Sequence, residues 1–321
     1  MNCQIFAFAL SLLIAYLLTP WVRKSAIKLN IMVHPGGRRV HTRPMPLWGG
    51  IAIYAGFAVS ALLLMHFTAQ KPACNLPIIG VVVAGALLVT VGLVDDMKEL
   101  SAKAQAGMII LSALLLMTFG VRIQFLTNPF GGNMILLPPV ISWILTLSWI
   151  FAVTKTIDFM DGLDGLAAGI GAIASGVLAI MAYYSNQPHV ALMAAALCGA
   201  CIGFLRFNFN PAKIFMGTGG SQFIGFALGA ISVIGAFKVA AAMAIALPIL
   251  VFGVPIFDAA FVIFKRLSNG QPLYIADKSH LHHRLMQKGL SHKQAVYVIW
   301  GISILLGIAA LAIFSYIKRG G

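Results

Sequence analysis

Ten apolar runs, each long enough to cross a bilayer, leave this 321-residue chain almost nothing from which to build a water-soluble core. A stretch of about 18 or more apolar residues with few charges marks a spanning helix. Such stretches fall at roughly 3–22, 47–66, 77–94, 104–121, 134–153, 165–184, 189–206, 220–236, 239–263 and 295–317. Short Gly- or Pro-containing breaks blur the edges of the runs around 120–153 and 220–263. The expected fold is therefore all-α: a single polytopic membrane domain over 1–321 with about ten spans. The first run lacks a basic flank before it and a small-residue cleavage site after it, so it reads as a retained anchor. Cys198 and Cys201 form a C-x-x-C inside an apolar, small-residue span, where helix packing is the expected use.

Orientation follows from the basic residues, because cytoplasmic loops carry the excess of Lys and Arg. With the N-terminus outside, the inner segments hold 17 of the 22 Lys and Arg. Every acidic residue then lies towards the cytoplasmic side. The net charge of +14 is mostly this bias, plus attraction to anionic lipids and substrates, and not a sign of nucleic acid.

There are only eight acidic residues, and they are clustered. Ionisable groups near the hydrocarbon are expensive and point to function. Asp95 and Asp96 end an apolar helix side by side and would repel unless a cation or proton sat between them. Asp158, Asp161 and Asp164 recur every three residues in TKTIDFMDGLDGLAAG, so a helical conformation would stack them along one side. Three such carboxylates suit a cation, a sugar's hydroxyls or a nucleotide base. In FMGTGGSQFIGFALGA, the backbone amides around Gly217 could face an anion at a helix start, or the small residues could serve helix packing. His280, His282 and His283 with Arg284, beside Asp277, offer donors for a diphosphate or ligands for a transition metal. Arg38, Arg39 and Arg43 either set topology or meet phosphate groups at the interface. Asp258 stands alone inside an apolar stretch, and His292 has no comparable polar context.

GLVDDMKEL, DFMDGLDGLAAG, FMGTGGS, the VPIFD around Asp258 and SHLHHRL occur in an order that resembles the polyprenyl-phosphate N-acetylhexosamine-1-phosphate transferases, glycosyltransferase family 4, over about 20–310. The resemblance implies that undecaprenyl phosphate attacks the β-phosphorus of a UDP-N-acetylhexosamine, with Mg²⁺ or Mn²⁺ neutralising the diphosphate. It assigns Asp95 and Asp96 to the lipid phosphate, Asp161 and Asp164 to the nucleotide-sugar and metal centre, and His280, His282 and His283 to the diphosphate or sugar. It places the protein in the bacterial inner (plasma) membrane, among membrane lipids, and allows a homodimer. The HLHH spacing is similar to that of the UDP-N-acetylglucosamine branch. The phospho-MurNAc-pentapeptide transferase branch and a non-catalytic lipid-binding relative are the alternatives.

Two departures stand out. Lys155 and Asp158 occupy places where the family has asparagines, and Thr218 stands where the family has a metal-binding aspartate. Asp158 and Thr218 thus keep one carboxylate and one neutral oxygen ligand with their order exchanged. Lys155 is expected to anchor Asp158 or the diphosphate, or else to snorkel to the interface. A transporter would place its acids near the bilayer midplane. The CDP-alcohol phosphotransferases have an arginine shortly after DG, where this chain has Ala167 and Ala168.

Overall fold

The structure, a computed structural model, describes residues 2–33, 44–67, 75–127, 134–235, 243–270 and 280–320. It is 81% helical, and eight of its helices are long and apolar enough to span a membrane. They are α1 (Asn2–Lys28), α2 (Gly50–Leu64, continued by a 3₁₀ turn to Phe67), α3 (Leu76–Lys98), α5 (Pro139–Phe159), α6 (Leu166–Tyr184), α7 (Pro188–Asn208), α8 (Gly217–Ile234) and α12 (His292–Gly320). This is an all-α polytopic membrane protein.

Two of the ten expected spans take another form. The run at 104–121 becomes α4 (Ala102–Thr118), an apolar helix of 17 residues. The run at 239–263 divides into α9 (Met243–Val251) and α10 (Gly253–Ser268), broken at Phe252. Pro248 lies inside α9 and Gly253 opens α10, and both residues weaken helix continuity. A short helix, α11 (Leu281–Gln287), precedes α12. Two antiparallel ladders complete the described residues: β1 (Met32–Val33) with β2 (Met45–Pro46), and β3 (Phe125–Thr127) with β4 (Met134–Leu136).

The bundle is organised around α8, which is buried on nearly every face and packs against α2, α3, α5 and α6. Hydrocarbon gives helices no hydrophobic reason to associate, so close backbone approach through small residues does much of the work. A Cβ on Gly92 of α3 would collide with Gly219 of α8, and one on Gly50 of α2 would collide with Gly220. Phe223 fills the remaining space, its ring edge-on to Tyr54 and Phe57. α1 lies along α7 and α2, while Cys201 is buried and Cys198 Sγ reaches the Ala172 carbonyl at 3.3 Å, which fits the packing reading of both cysteines.

The same packing gathers six helix ends at one face of the bundle. The C-termini of α3, α5 and α7 and the starts of α4, α8 and α12 meet there, around a cavity of about 470 Å³.

Candidate active site

Local backbone chemistry places each acid. α3 stops where Glu99 turns left-handed (φ 49), its N–H donating to the Asp95 carbonyl. The Asp95 carboxylate then takes the next amide, Leu100 N–H, at 2.8 Å, and both of its oxygens accept from Gln105 Nε2 at 3.1 and 3.2 Å. Asp95 is therefore held on every side by protein donors. Its neighbour is not. Asp96 Oδ1 accepts from Thr218 N–H at 2.9 Å, whereas Oδ2 is buried with no hydrogen-bond partner among the described residues. The anion at the start of α8 is thus the Asp96 carboxylate itself, as a helix N-terminus favours. Gly217 (φ +73) makes the approach possible, since a Cβ there would strike Asp96.

Asp158, Asp161 and Asp164 do not stack along a helix. α5 ends at Phe159, and Gly162 and Gly165 (φ +80) turn the chain into α6, so the three side chains reach the cavity from a helix end and a loop. Asp158 Oδ1 accepts from Ser221 Oγ at 2.7 Å, and Oδ2 pairs with Lys155 Nζ at 2.6 Å and meets Gln222 Nε2 at 3.4 Å. Lys155 also touches Gln105 Oε1 at 3.5 Å, a long charge–dipole contact, and lies over the Phe159 ring. Asp164 Oδ2 accepts from Asn210 Nδ2 (2.9 Å) and Ala212 N–H (3.0 Å), tying the loop to the segment after α7.

No hydrogen bond from a described residue reaches the Asp161 carboxylate. Burial, and then the charges of Asp158, Asp96 and Asp164, push its carboxyl up to about 8. A carboxyl so displaced is mostly protonated at neutral pH until positive charge enters the cavity.

The histidine motif is arranged in layers. Asp258 of α10, buried, accepts from His280 Nδ1 at 2.8 Å and from Leu281 N–H at 2.6 Å, so it anchors the start of α11. His282 is 1% exposed and nests on Gly162, where any Cβ would collide with its Nε2. Among the described residues neither of its ring nitrogens has a partner, and burial followed by the neighbouring His283 and His280 lowers its pKa to about 3. His283 lines the cavity.

Of the expected site residues, Asp95, Asp96, Asp158, Asp161, Asp164, Gly217, Thr218 and His283 line one cavity. Lys155 reaches it through Asp158, and His280 and His282 support its wall. Arg284 stands outside the lining, exposed, its guanidinium 4.3 Å from the Phe261 ring centre. Arg38, Arg39, Arg43 and Asp277 lie outside the described residues. Gln105, Ser221 and His292 line the cavity and carried no signal as candidates. Ser221 and His292 are lone polar residues whose partners are distant in sequence, and Gln105 reaches back to Asp95 from the next helix.

The oxygen-rich lining fits a hard divalent cation. Among the described residues no three acidic, histidine or cysteine side chains are already gathered around one point. A proton or a cation would relieve the charge crowding at Asp161 and engage the buried Asp96 Oδ2, which has no hydrogen-bond partner among the described residues.

A polytopic helical bundle with an acidic cleft at its helix ends defines a class of membrane enzyme that handles phosphorylated substrates. The chain belongs to glycosyl transferase family 4, whose family model matches residues 78–236. It is 36% identical to a Bacillus subtilis (strain 168) protein named "Probable undecaprenyl-phosphate N-acetylglucosaminyl 1-phosphate transferase", over 97% of this chain and 85% of that one. It is 37% identical to the decaprenyl-phosphate N-acetylglucosaminephosphotransferase of Mycolicibacterium smegmatis, over 94% of this chain and 80% of that one. The undecaprenyl-phosphate alpha-N-acetylglucosaminyl 1-phosphate transferase of Escherichia coli (strain K12) is 26% identical over 92% and 80%.

Proposed function

We propose that this protein transfers N-acetylglucosamine-1-phosphate from UDP-N-acetylglucosamine to undecaprenyl phosphate. UMP leaves, and the lipid-diphosphate sugar starts cell-envelope polysaccharide or teichoic acid synthesis. The observation that carries the reading is the end-to-end similarity to relatives named for transfer of this sugar phosphate to a polyprenyl phosphate, combined with the acidic cleft at the helix ends. All three names specify N-acetylglucosamine, which favours this sugar over a MurNAc-pentapeptide donor.

A phosphate oxygen of the lipid forms a bond to the β-phosphorus, and the bond from that phosphorus to the bridging oxygen breaks towards UMP. Phosphoryl transfer of this kind depends on positioning and charge neutralisation. Asp96, with an unengaged buried oxygen, takes the proton of the incoming lipid phosphate, while Asp95 is fixed by Gln105 and Leu100 and orients the end of α3. His283, which lines the same cavity, contacts the donor diphosphate.

Asp158 and Asp161, with the Thr218 hydroxyl, would hold Mg²⁺ or Mn²⁺. When bound, that ion neutralises the diphosphate and the departing nucleotide. The basic asymmetry supports a cytoplasmic cleft in the plasma membrane, with the N-terminus outside. In a cysteine-free background, Lys98→Cys should then react with an impermeant maleimide only from the inside. Labelling in intact cells would overturn the orientation, and with it access to a cytosolic nucleotide sugar.

Purified protein is expected to release UMP from UDP-N-acetylglucosamine only when a polyprenyl phosphate and a divalent cation are both supplied. No release under those conditions, across several polyprenol lengths and UDP-N-acetylhexosamines, would mark a non-catalytic relative.

A further inference from the structure

We infer that His292 is a positioning residue for Asp161: its neutral imidazole fixes the backbone of the loop between α5 and α6. The inference rests on the transferase reading above for its activity measurement, and on the geometry alone for its spectroscopic one.

Since no described donor holds the Asp161 carboxylate, its place in the cavity is set by its own backbone. That loop carries two glycines and makes few backbone bonds of its own: Met160 N–H to Ile157, Asp161 N–H to Asp158 and Leu166 N–H to Leu163. Its outward amides need acceptors from elsewhere, because a buried N–H without one is costly. Gly165 N–H finds Asn208 Oδ1 at 3.0 Å. Asp164 N–H finds no carbonyl. It donates to His292 Nε2 at 2.8 Å, across 128 residues of sequence.

A ring nitrogen can accept only when it carries no proton. The bond therefore selects the neutral imidazole with its hydrogen on Nδ1. The imidazolium would place an N–H against the Asp164 N–H, and the other neutral tautomer would do the same.

The helix that carries the ring is itself held. Ser291 and Gln294 form a reciprocal cap at the start of α12: Ser291 Oγ accepts from Gln294 N–H at 3.4 Å, and Gln294 Oε1 accepts from Ser291 N–H at 2.9 Å. This fixes the helix start one residue before His292. Further along α12, Trp300 Nε1 donates to the Leu166 carbonyl at 3.4 Å, and its indole occupies the space a Cβ on Gly169 would need. α12 is thereby registered against α6, with His292 over the loop. On the other side, Asn210 and Ala212 grip the Asp164 side chain. Asp164 is clamped between two elements, and Asp161 follows it at three residues' distance.

The test compares wild type, His292→Leu and His292→Gln as full-length protein in lipid nanodiscs. Leucine fills similar space but accepts nothing, whereas the glutamine Oε1 can accept the Asp164 N–H. His292→Leu is expected to lower kcat at least ~10-fold, since misplacing a reacting group by about 1 Å can cost 10²-fold. KM for the lipid phosphate and the thermal unfolding midpoint should stay near wild type. His292→Gln should recover most of the lost kcat. Wild-type kcat in His292→Leu, equal loss in both variants, or a loss that follows a lowered unfolding midpoint would each overturn the inference. Independently of turnover, ¹⁵N-histidine spectra of the wild type should show His292 with Nε2 unprotonated at neutral pH. A protonated Nε2 refutes the proposed contact. If the wild type shows no transferase activity at all, the functional reading falls and the spectrum alone decides His292.

Discussion

Asp161→Asn is expected to reduce turnover at least ~10²-fold, on the scale of a removed acid–base or electrostatic group, without disturbing the fold. Asparagine keeps the size and polarity of the side chain but not the charge. Since no described donor depends on the Asp161 carboxylate, the exchange breaks no hydrogen bond among the described residues. What it removes is a negative group that the bound cation and diphosphate would meet. Asp96→Asn should be similarly severe, because its Oδ2 is buried and partnerless while Oδ1 can still accept from Thr218 N–H through an amide oxygen. Asp95→Asn differs in kind. Its Oδ1 can still accept from Leu100 N–H, but an amide nitrogen in place of Oδ2 meets Gln105 Nε2 donor to donor, so its loss should be accompanied by a lower unfolding midpoint. Initial rates of UMP release and thermal unfolding of the three purified variants check this ordering. Near-normal rates in both Asp161→Asn and Asp96→Asn would leave the acidic cleft without a catalytic part.

The second large effect concerns Asp158 and Thr218. Asp158→Asn should lose most metal-dependent turnover for two reasons that reinforce each other. It withdraws a carboxylate from the cleft, and it leaves the Lys155 ammonium, half-buried between α5 and α4, with only Gln105 and the face of Phe159. Breaking one side of a partly buried ion pair costs more than the pair contributes. Adding Thr218→Asp should restore part of the activity. Thr218 lies one helical turn before Ser221, the residue that bonds Asp158 Oδ1, and Ser221 Oγ also reaches the Thr218 carbonyl at 3.3 Å. A carboxylate at 218 therefore returns to the same wall. Full activity of Asp158→Asn at low Mg²⁺ would show that the cation is held without it.

The acidic cleft was legible because carboxylates in an apolar chain have few places to be. Asp95 and Asp96 end an apolar run, and the DG pairs and the Gly-rich FMGTGG mark where the chain turns. How the carboxylates divide their labour was not legible. Asp95, Asp158 and Asp164 are engaged by Gln105, Ser221, Asn210 and backbone amides, leaving Asp96 Oδ2 and Asp161 unengaged. The engaging side chains are single polar residues on other helices or, for Asn210, in the segment after α7, and no local pattern announces them. His292 escaped notice for the same reason, its partner being a backbone amide. The spacing of Asp158, Asp161 and Asp164 suggested a helical stack, but Gly162 and Gly165 end the helix between them. Asp258, alone in its apolar stretch, has its explanation in His280 and the amide of Leu281. At the level of the fold, two of the apolar runs take a form that length alone does not show. α4 stops at Thr118, just before the left-handed Gly120, and the break at Phe252 divides α9 from α10.

The central claim is that a sugar phosphate, and not a sugar, moves to the lipid. Donor labelled with ³²P at the β-phosphate of UDP-N-acetylglucosamine separates the two outcomes in one extraction. The account predicts that the label passes into the organic phase with undecaprenyl phosphate, in equal amount to the UMP released into water, and that Asp161→Asn abolishes both. Label remaining in water as UDP while the lipid gains only sugar would contradict it.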